Sequence, residues 1–250
     1  MGRGPRSVRW GPRWTRRGPR WWHGGDGGVV TRLLICAALG IETRALRRGL
    51  ASVPDDARVI RTGAGPRRAA RAARMLPPYD VIAVVGFGGA VDPSLRPGDV
   101  VVADEVRYGG HVYPCPTAPQ LARELARDGL RTHIGPLLTC DHVVRQAERP
   151  RLADLGVLAV DMETGPLAEA ARGRPPAAVR VIVDAPGTPL LGLAVVRAGL
   201  AARRVLGLVA PALACWASAV DPHRNTAPAL RPSRAEHTIR FSPPEEVRLS

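Results

Sequence analysis

The sequence predicts an α/β layered domain. Three observations carry the prediction. Short β-branched runs alternate with longer Ala/Leu/Arg stretches over residues 29–220, glycines and carboxylates punctuate the ends of the apolar runs, and 250 residues at 45% hydrophobic suffice to bury one core. The same composition excludes coiled-coil, collagen-like and wholly disordered chains.

In chain order, strands are expected near Arg32–Ala37, Ala57–Arg61, Val81–Val85, Asp99–Ala103, Ile134–Leu138, Val157–Val160 and Val179–Val183, each a short apolar run. Helices are expected near Glu42–Leu50, Arg67–Leu76, Ala118–Asp128, Gly165–Ala171 and Arg197–Ser218, where Ala, Leu and Arg recur at helical spacing. The arginines of the helix from Arg67 read as solvated surface.

The flanks differ from this core. Residues 1–28 hold seven Arg and four of the five Trp without periodicity, and read as a disordered extension. Residues 221–250, broken by Pro222, Pro228, Pro232, Pro243 and Pro244, read as a disordered tail. All 36 basic residues are arginine; against 22 acids they give a net charge of +14. That balance fits either a polyanion partner or a coding habit that inflates Arg, Ala, Gly and Pro together.

Cys36, Cys115, Cys140 and Cys215 form no C-x-x-C pair, so neither a disulfide framework nor a zinc knuckle is signalled, and a reducing cytoplasm is the simplest setting. His111 with Cys115 and Cys140 with His142 fit no standard metal template, so no metal is expected. The Arg-rich start leads into no secretory signal. The longest uncharged run, Val205–Val220, contains Pro211 and is too short to span a bilayer. It reads as a core helix or, with Leu190–Val196 and Arg197, Arg203 and Arg204, as a surface lying against an anionic membrane.

Two glycine clusters follow apolar runs, Gly63-Ala64-Gly65 and Gly86-Phe87-Gly88-Gly89, and such glycines let a ligand approach free backbone N–H groups. Arg68 and Val91 stand where the dinucleotide fingerprint wants its last Gly or Ala, so no Rossmann cofactor is expected. Three carboxylates, Glu42, Glu163 and Asp184, sit at the ends of apolar runs, where sites in open α/β sheets lie. Each alone would serve as a helix-start carboxylate worth about 1 kcal/mol. Three at equivalent positions point to a site.

Ala159-Val-Asp-Met-Glu-Thr164, the block Gly86-Phe-Gly-Gly-Ala-Val-Asp-Pro-Ser-Leu-Arg-Pro-Gly-Asp-Val-Val-Val-Ala-Asp-Glu105 and the Thr62-Gly-Ala-Gly65 turn resemble the nucleoside phosphorylase and nucleosidase superfamily, in order and spacing through nearly all of 31–220. Within it the chain looks most like the hopanoid-associated phosphorylases, which remove adenine from an adenosylated triterpenoid. The resemblance implies a three-layer domain with a central mixed β-sheet flanked by helices over residues 29–220. It implies N-glycosidic cleavage of an adenine nucleoside by water or phosphate, no cofactor, and assembly into homo-oligomers.

Residue by residue, Asp184 matches the family's catalytic acid, which protonates the purine ring nitrogen and needs an apolar surround. Glu42 matches the carboxylate that orients water in hydrolytic members. Glu163 matches the acceptor for the ribose hydroxyls, with Met162 packing on the sugar. The segment carrying Asp141, Val143 and Val144 falls where the base is held, and Gly63, Gly86, Gly88 and Gly89 fall around the phosphate or water pocket.

Two departures stand out. The family usually has Ser before the acid and often a second Asp after it, whereas here Val183 precedes Asp184 and Ala185-Pro186-Gly187 follow. The early Gly-x-x-x-Arg phosphate loop of phosphorolytic members is not recognised, Gly40-Ile41-Glu42 standing after the first strand. The remaining alternatives are a methylthioadenosine or adenosylhomocysteine nucleosidase, a non-catalytic nucleoside binder, and, less favoured, a nucleic-acid-binding protein built on the basic arm.

Overall fold

The computed structural model describes residues 32–53, 57–171, 174, 176–186, 193–220 and 231–232. The expected extension 1–28 and most of the expected tail lie outside the described residues. So do residues 187–192, and with them the start of the expected membrane-facing stretch Leu190–Val196. The strands are β1 (Leu33–Ala37), β2 (Ala57–Arg61), β3 (Val81–Ala90), β4 (Val100–Tyr108), β5 (His111–Pro114), β6 (Thr132–Thr139), β7 (Ala159–Asp161), β8 (Ala177–Asp184) and β9 (Arg231–Pro232). The helices are α1 (Gly40–Gly49), α2 (Pro66–Ala73), α3 (Ala118–Arg127), α4 (Arg149–Asp154), α5 (Thr164–Ala170) and α6 (Leu193–Ala219).

The strands make one mixed sheet in the order β2-β1-β3-β7-β6-β4-β5-β9, and β8 pairs with both β3 and β4. Through β8 the pairs β3–β8, β8–β4, β4–β6, β6–β7 and β7–β3 close into a ring. Alternation along the strands supplies two apolar faces. Leu33 and Ile35 of β1, with Val179 and Val181 of β8, face a core completed by Leu46, Leu121, Leu206, Leu213 and Trp216 from α1, α3 and α6. Leu34, Cys36, Ile82 and Val84 face the other way, against Leu167 and Ala171 at α5, with α2 beside it. Helices thus cover both faces, and all five residues of β1 are buried. The three-layer α/β fold is the one the sequence predicts.

The uncharged run of α6 serves this core: Leu206, Val209, Leu213, Trp216 and Val220 are buried, while Arg204 and Leu208 lie on the exposed side. No helix among the described residues is long and apolar enough to cross a membrane. Pro211 lies inside α6 and lacks an N–H, so the carbonyl of Gly207 loses its helical donor. Gly49, at the end of α1, packs there, and a Cβ at position 49 would overlap the Gly207 carbonyl oxygen. The helix that carries Glu42 is therefore seated on α6 by near contact of backbones.

Four elements differ from expectation. β9 falls inside the expected disordered tail, where Arg231 and Pro232 pair with Val112 and His111 of β5. β3 does not end at Val85 but continues through Gly86-Phe87-Gly88-Gly89 to Ala90, because these residues pair with β8 and β7. β5 pairs with the second half of β4, extending that strand to Tyr108. α4 opens on Arg149-Pro150 and holds only Leu152 among its buried apolar side chains, too little for a recognisable amphipathic period.

Candidate functional site

The first turn of α1 delivers Glu42. It is 2% exposed, and its two oxygens accept backbone N–H groups on either side: Leu39 donates to Oε2 at 2.7 Å and Phe87 to Oε1 at 2.8 Å. The first bond is half of a helix-start cap. The second reaches across to β3 and fixes the carboxylate over the sheet. Burial pushes the Glu42 carboxyl above the usual glutamate range, while the Phe87 and Leu39 N–H groups and Arg180 pull it back. A carboxyl whose proton affinity is raised by burial is a better proton acceptor than one in water.

Arg180 on β8 is the site's central cation, 1% exposed in the run Val179-Arg180-Val181. Its Nη2 is paired with Asp161 Oδ2 and donates to the Thr164 hydroxyl. Burial works against its charge, but Asp161, Glu163 and Glu42 outweigh that and raise it above its ordinary value. Gly86 separates Arg180 from Glu42: a Cβ there would stand 2.6 Å from Arg180 Nη1 and 2.7 Å from Glu42 Oε1. Glycine lets these two groups approach each other over the strand.

The Asp161-Met162-Glu163 corner divides two tasks. Asp161, not Glu163, closes the start of α5, its Oδ2 accepting the Thr164 N–H at 2.9 Å while Oδ1 takes the Thr139 hydroxyl at 2.6 Å. Glu163 occupies the N-cap position without capping. Its Oε1 accepts the Gly65 N–H at 2.7 Å, which ties the Gly63-Ala64-Gly65 turn to the end of β7. Gly63 and Gly65 adopt φ of 87° and 90°, the left-handed region that only glycine takes at little cost. Met162 beside Glu163 is half-buried.

Asp184 ends β8, 8% exposed, but its surround is not apolar as expected. Its Oδ2 accepts from Nη2 of Arg149, itself 2% exposed, and Arg149 Nη1 also donates to the Ala90 carbonyl at 2.6 Å. The polar support that Val183 cannot give comes from the start of α4. Asp184 Oδ1 faces Gly89, where a Cβ would approach to 2.9 Å.

Other expectations shift. Gly86, Gly88 and Gly89 lie within β3 in register with β8, and the Phe87 N–H is held by Glu42, so this is no loop of free donors for phosphate. Gly40-Ile41-Glu42-Thr43-Arg44 does have the Gly-x-x-x-Arg spacing, but Arg44 is two residues from Glu42 and on the opposite side of α1. With Arg47, Arg48 and Arg61 it lines an outer concavity of about 600 Å³, away from Glu42. Asp141 points to solvent and pairs with His142, Val143 is 62% exposed, and Val144 packs into a core cluster with Leu138 and Val160. The structure thus gathers Glu42, Glu163 and Asp184 around β3 and adds Arg180, Asp161, Thr139, Thr164 and Arg149. Of these, Arg180 had a legible signal, an arginine inside an apolar strand.

A fold of this topology with buried carboxylates and an arginine along one glycine-rich strand defines an α/β protein with a buried polar site at one strand. The phosphorylase superfamily model matches residues 55–213, and the chain belongs to that superfamily. No curated protein matches it. Among solved structures it is similar to the 5′-methylthioadenosine/S-adenosylhomocysteine nucleosidase of S. pneumoniae, at 19% identity and TM-score 0.60, covering 76% of this chain and 99% of that one. The Helicobacter pylori enzyme of the same description matches at 14% identity and TM-score 0.63, over 73% and 97%. The S-adenosylhomocysteine nucleosidase of Streptococcus pyogenes matches at 23% and 0.57, over 74% and 98%.

Proposed function

We propose that the chain, through its domain at 29–220, cleaves the N-glycosidic bond of an adenine nucleoside by hydrolysis. The observation that carries the reading is the lane along β3. Glu42 and Arg180 meet over Gly86, and Asp184 stands over Gly89 at the end of the adjoining strand, with Glu163 bound to the Gly65 turn. Bond breaking builds positive charge on the ribose, so it needs help at the base, at the sugar and at an incoming nucleophile. In this reading Asp184 gives a proton to the purine ring nitrogen, Glu163 accepts from the ribose hydroxyls, and Glu42 takes the proton of a water attacking C1′.

Water is favoured over phosphate because Gly86, Gly88 and Gly89, three of the four glycines expected around the phosphate, are engaged in the sheet and the Phe87 N–H is engaged by Glu42; Gly63 lies in the turn before α2. The solved nucleosidases of the same fold agree with that choice. The 5′ substituent is read as large and apolar, as in an adenosylated hopanoid, with the methylthio group as the alternative. Incubation with adenosylhopane, 5′-methylthioadenosine and inosine, each with and without phosphate, tests all of this. Adenine release from the adenine nucleosides independent of phosphate, no hypoxanthine release from inosine, and a fall of at least about 100-fold in adenine release with Asp184→Asn are the expected result. Turnover of Asp184→Asn within about threefold of the parent refutes the assignment.

A further inference from the structure

Arg149 is a buried cation beside the site to which the reaction just described assigns no task. It reaches in from the first residue of α4 and is held at two points, the Ala90 carbonyl at the end of β3 and the Asp184 carboxyl at the end of β8. A guanidinium in a dry environment depends on acceptors held in fixed geometry, and its planar fork can meet two that an ammonium cannot meet together; both terminal nitrogens of Arg149 are met, while its Nε has no partner among the described residues. The grip extends along the same segment, since Gln146 Nε2 donates to the Ala185 carbonyl at 3.4 Å. The pairing with Asp184 is one-sided: Arg149 takes Oδ2, and Oδ1 is left on the side of Gly89, which has no side chain to cover it.

We propose that Arg149 is a positioning residue for base release, fixing the Asp184 carboxyl so that Oδ1 alone carries the transferable proton and stabilising the carboxylate left when that proton departs. The proposal rests on the reading of Asp184 as the base-side acid. In the step, the O–H bond at Oδ1 breaks and an N–H bond forms on the purine ring nitrogen. The electron pair of the C1′–N bond passes to the purine, a water oxygen bonds to C1′, and the proton of that water passes to Glu42. Negative charge appears on Asp184 only as the proton leaves. The attraction of Arg149 is therefore stronger in the transition state than in the bound substrate, and its loss falls on kcat rather than KM. It also accounts for a β8 that carries Val183 where a hydroxyl neighbour was expected.

The test uses the full chain and the nucleoside of the panel above that the parent cleaves fastest. Arg149→Met is expected to lower kcat about 100-fold with KM within about threefold, and Arg149→Lys, which keeps the charge but not the two-point fork, to lie about tenfold below the parent. In an Asp184→Asn background, Arg149→Met is expected to cost no more than about a further twofold, because a residue acting through Asp184 has nothing left to act on. Arg149→Met within threefold of the parent, or the same fall in both backgrounds, overturns the proposal. If Arg149→Met does not fold, Arg149→Lys decides, and an unchanged kcat there overturns it. Full turnover by Asp184→Asn would instead overturn the functional reading beneath it.

Discussion

Replacing Arg180 by Met removes the positive member of a buried pair while keeping an unbranched side chain of similar reach. Asp161 stays behind, 7% exposed and charged, with the Thr139 hydroxyl and the Thr164 hydroxyl and N–H as its remaining donors. Breaking one side of a buried pair costs about 3–5 kcal/mol, and three surviving neutral donors place this case at the lower end, about 3 kcal/mol. For a domain of this size that lowers Tm by about 6–12 °C. Urea unfolding followed by circular dichroism measures it. Adding Asp161→Asn removes the orphaned charge, and the two threonine hydroxyls can rotate to accept from the new amide, so the double variant recovers about half of the loss. A single variant within about 1 kcal/mol of the parent, or a double variant no better than the single, refutes the account of Arg180 and Asp161 as a mutually dependent buried pair.

Gly49→Ala forces α1 away from the Gly207 carbonyl, and is expected to cost about 1–3 kcal/mol and to lower kcat by moving Glu42, read by thermal unfolding and by adenine release. The Arg32 side chain bonded to Asp80 holds that carboxyl down at about 2, so its contribution is present above the usual aspartate range and lost as pH falls from about 4 towards 2. Asp80→Asn therefore lowers stability at neutral pH by at most about 1 kcal/mol, because the pair is largely exposed, and makes little difference at pH 2 in matched urea titrations. Glu163→Gln, with one acceptor oxygen turned into a donor, is expected to weaken cleavage of a ribonucleoside but not of its 2′,3′-dideoxy analogue.

Much of this was legible because the signals were local. The apolar runs of β1 and β8 and the carboxylates at their ends can be read within a few residues of each other, and so Glu42, Glu163 and Asp184 stood out. Arg149 did not, since it meets Asp184 from 35 positions away on a short polar helix with no period of its own. The cap at α5 was not legible for a related reason: Asp161 and Glu163 are both near the helix start, and only the fold shows that Asp161 closes it while Glu163 is drawn off to Gly65. Gly86 to Gly89 read as a turn because glycine usually ends a strand, and nothing in the local sequence says that a neighbouring strand needs the room.

That room has a particular origin. The register of β3 against β8 slips by one residue, Gly88 standing opposite Ile182 and Gly89 opposite Asp184, so Val183 is passed over. On either side of such a slip a strand turns different faces towards the same neighbour. Side chains are consequently barred at three places, where a Cβ would meet Arg180 at 86 and again at 88, and Asp184 at 89. The glycine run is thus a mould of the polar side chains on β8. Bulk at 86 or 89 and the side chains of Arg180 and Asp184 opposite exclude one another, so the two segments act as one steric unit.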